Sequence, residues 1–189
     1  SGMMERGHDV TYIMYDNEAY MNTGVQRSSQ TPLGASTTTS PAGEESIGND
    51  TNKKDMISIA ADHGIPYAAT ASISNPNDFK QKVEKALEIE GPKFLHVYSP
   101  CPVGWSFDSA ETIDLAEKAV KTGLFPVFEM EDGEVTNVNQ VRDREPIEEW
   151  LEPQGRFKHL FKDEENGEQA IEELQEWIDG RAEDLGLDA

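Results

Sequence analysis

A single cysteine, Cys101, is all that the 189-residue chain contains. It has no partner for an internal disulfide, so nothing in the sequence asks for an oxidising compartment. No run approaches the ~20 consecutive apolar residues that a membrane-spanning helix needs. The opening SGMMERGHDV lacks the basic-then-apolar layout of a secretory leader. These absences predict a cytoplasmic protein. Basic residues are scarce as well: 16 Lys and Arg stand against 37 Asp and Glu, a formal net charge of −21. Phosphate backbones and anionic lipid surfaces repel such a chain, which argues against nucleic-acid and membrane binding. Two readings of the acidity stand, a docking face for a basic partner or adaptation to high salt. The acidic residues are spread along the chain rather than gathered in one run, which favours the second. His8, His63, His96 and His159 have no metal-binding spacing, and His96, within an apolar run, reads as a packed or hydrogen-bonded core residue.

What is present alternates. Ser1–Gly7 reads as the tail of a helix, and Val10–Tyr15, β-branched and aromatic, as a buried strand. A polar stretch over 16–52, rich in Gly, Ser, Thr, Asn and Pro, is far longer than an ordinary connection. A helix is expected over 53–63, capped by Thr51 or Asn52 and stopped by Gly64. Pro66–Thr70 reads as a short strand. Asn75 and Pro76 open a helix with Phe79, Val83, Ala86 and Leu87 at helical spacing. Lys93–Tyr98 reads as another strand, and Asp108 or Ser109 caps a helix through Lys121. Residues 125–130 and 135–138, joined across Asp132-Gly133, read as a hairpin. The charged remainder from about Glu145 is expected to be helical, its last helix over 168–181 having one apolar face of Ile171, Leu174, Trp177 and Ile178. That helix reads as a docking element for a neighbouring subunit. The order implies an α/β fold, a parallel sheet flanked by helices, with residues 1–140 as one unit and 141–189 as an acidic, mostly helical arm.

Ligands in such sheets sit at the carboxyl ends of the strands, and the long loop leaves the first strand at that end. Asp16-Asn17-Glu18-Ala19-Tyr20-Met21-Asn22-Thr23-Gly24 packs oxygen donors behind it. An Asn side-chain oxygen and a backbone carbonyl are hard, neutral ligands suited to Mg²⁺ shared with substrate phosphates. The same residues are ordinary turn formers, and composition leaves both readings open. Cys101, alone and set between Pro100 and Pro102, equally reads as a small buried hydrophobe.

The segment Tyr15–Gly24, with Gln26-Arg27-Ser28-Ser29 and Thr31-Pro32, resembles the thiamine-diphosphate loop of pyruvate:ferredoxin oxidoreductase β subunits. Ser99-Pro100-Cys101-Pro102-Val103-Gly104-Trp105 is similar to the segment that supplies the last cysteine of that subunit's 4Fe–4S cluster, and Gly155–Leu160 is similar to its C-terminal region. The resemblance runs from Met4 to about Leu160. It implies a thiamine-diphosphate-binding fold truncated at its N-terminus. Asn17 would give its side-chain oxygen, and Ala19 its carbonyl, to Mg²⁺. Tyr20, Asn22 and Thr23 would line the cofactor pocket, with Asn22 the catalytic amide beside the thiazolium. Cys101 would ligate the cluster that takes the electrons. The activity implied is oxidative decarboxylation of pyruvate to acetyl-CoA and CO₂ with reduction of ferredoxin, or its reverse, among α, γ and δ subunits. A branched-chain 2-oxoacid enzyme is the alternative, and a non-catalytic interaction module of the same fold a further one. The Asn-Gly-x-Tyr-Gly loop of 2-oxoglutarate relatives is not matched. The family's Cys-x-x-Cys, third cysteine and Gly-Asp-Gly Mg²⁺ motif are absent from the chain. It is therefore expected to be a piece of the subunit, with thiamine diphosphate, Mg²⁺ and the cluster held only in the complete one and no activity by itself.

Overall fold

A computed structural model of the chain describes residues 1–163 and 165–187. A helical turn α1 (Gly2–Glu5) precedes the first strand, β1 (Val10–Asp16); β4 (Tyr67–Ser72) and β5 (Pro92–Tyr98) follow on either side of helix α3 (Pro76–Glu88). These three strands run parallel in the order β1-β5-β4, with Asp16, Tyr98 and Ser72 level with one another at their carboxyl ends. β4 is Tyr-Ala-Ala-Thr-Ala-Ser and every residue is buried. Its small side chains let elements close on both faces, as a central strand of a parallel sheet requires.

The hairpin expected around Asp132-Gly133 forms as β6 (Phe128–Glu131) and β7 (Glu134–Val138). Asp132 and Gly133 both take positive φ, 50° and 85°, matching the twist of the flanking strands. The hairpin also extends the main sheet. β6 pairs antiparallel with β4, so the sheet is mixed, with order β1-β5-β4-β6-β7. Periodicity announces a hairpin but carries no information about which edge it joins.

The long stretch after β1 is compact. A two-stranded ribbon, β2 (Ala42–Gly43) with β3 (Ser46–Ile47), closes part of it. Asn49, fully buried, donates through Nδ2 to the carbonyls of Thr31, Pro32 and Thr51 at 2.9, 3.1 and 2.6 Å, tying the loop's two halves together. Helix α2 (Met56–Ala61) starts later than expected. Its cap is Asp55, which accepts from the amides of Ile57 and Ser58, not Thr51 or Asn52. Lys53 stays outside the helix because its side chain is drawn into the interior. A one-turn helix, α4 (Pro102–Trp105), follows Cys101, and α5 (Thr112–Lys121) follows a 3₁₀ turn over 109–111 that Asp108 caps.

Beyond the hairpin come α6 (Glu148–Leu151), a 3₁₀ turn at Gly155–Phe157 and α7 (Asn166–Leu185). Ala170, Leu174 and Ile178 of α7 belong to the same buried cluster as Leu115, Trp105, Trp150 and Phe157. Of the expected apolar face, Leu174 and Ile178 are enclosed, and Ile171 and Trp177 pack partly against that cluster. No helix among the described residues is long and apolar enough to cross a membrane. The opposite edge of the sheet is less well covered. In β1, Val10, Tyr12, Ile13 and Tyr15 are 38, 49, 49 and 63% exposed.

Candidate cofactor site at the carboxyl edge of the sheet

Parallel pairing of β1 with β5 in register sends both motif-bearing loops out at the same edge. They touch directly. The Ser99 amide donates to the Asp16 carbonyl at 2.8 Å, and Trp105 Nε1 to the Asn17 carbonyl at 2.9 Å. Gly104 accepts Met21 against its bare Cα, where any Cβ would collide with the Met21 sulfur. Cys101 is half-buried beside them.

Within the turn after β1, the chain alternates inward and outward. Asp16 and Glu18 are 2% and 1% exposed. Asn17, Ala19 and Tyr20 line an open cavity of about 300 Å³, together with Met14, Tyr15, Ser28, Ser29, Gln30 and Met56, and the buried Asp16 and Glu18 reach its wall as well. Glu18 holds φ at +63°, a backbone state that costs of order 1–3 kcal/mol for a residue with a side chain and persists only when its surroundings impose it. The Glu18 amide donates to Asp16 Oδ1 at 2.9 Å, and the Glu18 carbonyl accepts from Thr31 Oγ1 at 2.6 Å. The carbonyls of residues 17 and 18 are thus both tied down. Among the described residues, the Asn17 side chain and the Ala19 carbonyl have no hydrogen-bond partner. These two neutral oxygens are free to take a hard cation.

The buried carboxylates are neutralised from distant parts of the chain. Lys53 Nζ lies 2.6 Å from Glu18 Oε1 and 3.4 Å from Asp16 Oδ2. Arg156 reaches Glu18 Oε2 at 2.5 Å, and His96 Nε2 lies 2.8 Å from Asp16 Oδ2. Burial alone would raise the Asp16 pKa, but the Lys53 charge and the His96 hydrogen bond outweigh it and hold the carboxyl at about 2. The Tyr98 hydroxyl, fully enclosed, has no hydrogen bond of good geometry; burial first and the Glu18 charge second push its pKa well above the ordinary range. The Arg156 guanidinium sits 3.8 Å over the Trp105 ring.

Of the residues singled out in the sequence, Asn17, Ala19 and Tyr20 share the cavity. Asn22 and Thr23 do not line it. They occupy the exposed tip of a reversal in which Tyr20 and Gln26 exchange backbone hydrogen bonds at 2.9 and 3.1 Å. Thr23 Oγ1 is 3.0 Å from Gln26 Oε1. Cys101 lies at the same sheet edge as Asn17. Among the described residues no group of three or more His, Cys, Asp or Glu is arranged to hold a metal. The reading of residue types missed the buried set Asp16, Glu18, Lys53, His96 and Arg156. A carboxylate on each side of Asn17 was its one local signal. His96 was expected to be a hydrogen-bonded core residue, and it is.

Comparison with known proteins agrees with the geometry. Residues 1–97 match the family described as thiamine pyrophosphate enzyme, C-terminal TPP binding domain. Pyruvate synthase subunit PorB of Methanosarcina barkeri is 56% identical over 93% of this chain and 59% of its own length, and that of Methanocaldococcus jannaschii 54% identical over 99% and 61%. Ketoisovalerate oxidoreductase subunit VorB of Pyrococcus abyssi is 49% identical over 94% of this chain and 56% of its own length. The chain spans about three-fifths of the length of the curated relatives it matches. Among solved structures, 2-oxoglutarate:ferredoxin oxidoreductase from Magnetococcus marinus with 2-oxoglutarate, coenzyme A and succinyl-CoA bound superposes with a TM-score of 0.50 and 26% identity, covering 60% of this chain and 36% of that one. With a mostly parallel sheet, a loop of free neutral oxygens at its carboxyl edge and a family match across more than half its residues, this chain belongs to the thiamine pyrophosphate enzymes, as part of their C-terminal TPP-binding domain.

Proposed function

We propose that the chain forms the Mg²⁺–diphosphate side of the cofactor site in an enzyme that oxidises pyruvate to acetyl-CoA and CO₂ with ferredoxin as electron acceptor, or runs the reverse synthesis. The observation that carries this reading is the pair of unpartnered oxygens, Asn17 Oδ1 and the Ala19 carbonyl, in a cavity at the carboxyl edge of the sheet. Thiamine diphosphate, when bound, supplies the carbanion chemistry of 2-oxoacid decarboxylation. The residues present fit it: the oxygens offered to a cation are neutral, and the carboxylates beside them are already paired with cations inside the protein. No net charge from the turn opposes a diphosphate.

Tyr20 and the Ser28-Ser29-Gln30 segment bound the cavity on its other side. Asn22 and Thr23 lie at the exposed tip of the loop, outside the cavity, and the loop's likeness to the family is what assigns Asn22 to the substrate 2-oxoacid. Cys101 supplies one thiolate to a 4Fe–4S cluster. A single cysteine does not hold a cluster, so the remaining ligands come from other polypeptide. The relatives' names favour pyruvate as substrate, and the VorB match at 49% identity keeps a branched-chain 2-oxoacid as the second reading.

The edge strand β1 supports a larger assembly. Parallel strands are normally buried on both faces, yet among the described residues β1 has no strand on its outer edge and carries exposed Tyr12, Ile13 and Tyr15. The polypeptide that completes the relatives' length, together with further subunits, would cover it. Calorimetry of Mg²⁺ with thiamine diphosphate on the complete subunit tests the central reading. Asn17→Ala should weaken binding tenfold or more, and unchanged affinity would sink the reading.

A further inference from the structure

Four separated parts of the chain converge under the turn that carries Asn17 and Ala19. Asp16 ends β1 and Glu18 follows two residues later; Lys53 comes from the segment before α2, His96 from β5, and Arg156 from the 3₁₀ turn after α6. We propose that this buried ionic set is the positioning device for the cofactor turn, holding the Asn17 side chain and the Ala19 carbonyl outward by fixing the residue on either side of Asn17 inward. The inference rests on the reading that Asn17 and Ala19 hold the cation.

The alternation of the turn carries it. Residues 16 and 18 point in and are clamped at both carboxyl oxygens. Asp16 Oδ1 takes the Glu18 amide and Oδ2 takes His96 and Lys53; Glu18 Oε1 takes Lys53 and Oε2 takes Arg156. Lys53 bridges the two carboxylates, so the separation between the flanks of Asn17 is set by one ammonium. Arg156 adds a second restraint through Trp105. Its guanidinium stacks on the ring whose Nε1 holds the Asn17 carbonyl, and its Nε donates to Gln154 Oε1 at 2.9 Å, which fixes the plane of the stack. The left-handed backbone at Glu18 is held locally by its amide's hydrogen bond to Asp16 Oδ1, and the distant cations fix both carboxylates that flank Asn17. A hydrophobic filling of the same volume would give a core of similar stability. It would not pin two alternate residues of a turn in fixed register.

Arg156 and Lys53 are positioning residues, so cofactor affinity and stability must separate. In the complete subunit, Mg²⁺–thiamine diphosphate binding is measured by calorimetry and melting temperature by circular dichroism, for Arg156→Met, Lys53→Met, Arg156→Lys, Asn17→Ala and the remote core variant Leu174→Ala. The expected result is at least a tenfold weaker cofactor affinity in Arg156→Met and Lys53→Met, measured well below their melting temperatures. Leu174→Ala, at a comparable loss of melting temperature, keeps wild-type affinity. Arg156→Lys retains the charge but not the planar stack or the Gln154 hydrogen bond, and falls between; it also serves if Arg156→Met does not fold. Wild-type affinity in Arg156→Met or Arg156→Lys while Asn17→Ala binds weakly would overturn the positioning role and leave the cofactor reading intact. Wild-type affinity in Asn17→Ala would sink the cofactor reading and this inference with it. Equal losses of affinity in Leu174→Ala and Arg156→Met would reduce the network to general stabilisation.

Discussion

Truncating Leu174 to Ala is the sharpest test of how the chain is built, because it asks whether residues after 140 share the core of those before. Leu174 is 1% exposed and lies in one buried cluster with Leu115, Ala116, Trp150 and Ile178. Removing a fully buried leucine side chain leaves a cavity and costs about 2–5 kcal/mol. The surrounding Trp150 and Ile147 are themselves fully enclosed, so collapse around the void is limited and about 3 kcal/mol is the working figure. For a chain of this size each kcal/mol moves the melting temperature by about 2–4 °C, so a fall of about 6–12 °C is expected. The assay is thermal unfolding followed by circular dichroism and, separately, by tryptophan fluorescence. The two probes should report one transition, shifted together. A change under ~1 kcal/mol, below the range for a buried leucine, would refute the shared core. So would a variant in which only part of the helical signal melts early, and residues 141–189 would then stand as the separate arm that their charge and helical pattern suggested.

Glu129 provides a pH-dependent case. Burial works against its ionisation, but hydrogen bonds from Lys85, Tyr67 and Asn137, at 2.8, 2.7 and 3.0 Å, outweigh it and place the carboxyl below its ordinary value. A lowered folded pKa means stability that is present above the unfolded value of about 4.5 and lost as pH falls through the folded one. Melting temperatures of wild type and Glu129→Gln should therefore differ at neutral pH and converge in acid; a constant gap would contradict this. With a net charge of −21, melting temperature should rise with KCl well beyond 0.1 M, where screening has already shortened to ~10 Å; a flat or falling curve would favour a docking face over adaptation to salt. In the complete subunit, Cys101→Ser should lose one 4Fe–4S cluster and electron transfer to ferredoxin while 2-oxoacid decarboxylation continues. Iron content and low-temperature EPR matching wild type would return Cys101 to the packed interior.

The order of elements was legible because each carries its own local physics: a β-branched and aromatic run for β1, a short apolar run for β5, Asn75-Pro76 for α3, Asp132-Gly133 for the β6–β7 turn. The candidate loop was legible by its position after a strand and by its likeness to a known family. What the residues could not announce was anything held by long-range contact. The start of α2 was misplaced because Lys53, an ordinary helix former, is held 2.6 Å from Glu18 instead. The hairpin's place in the main sheet depends on pairing β6 with a strand some 60 residues earlier, which no local pattern records.

The order of elements alone determined the α/β class, and the loop's place after the first strand, with its likeness to a known family, singled out the segment proposed to meet the cofactor. Tertiary structure alone decided which of those residues line the cavity. Asn17 and Ala19 face the cavity, and Asn22 and Thr23 do not. The reason is that the direction of each side chain in the turn is set by charges 35 to 138 residues away. Lys53, His96 and Arg156 each look like ordinary residues until the fold closes them around Asp16 and Glu18.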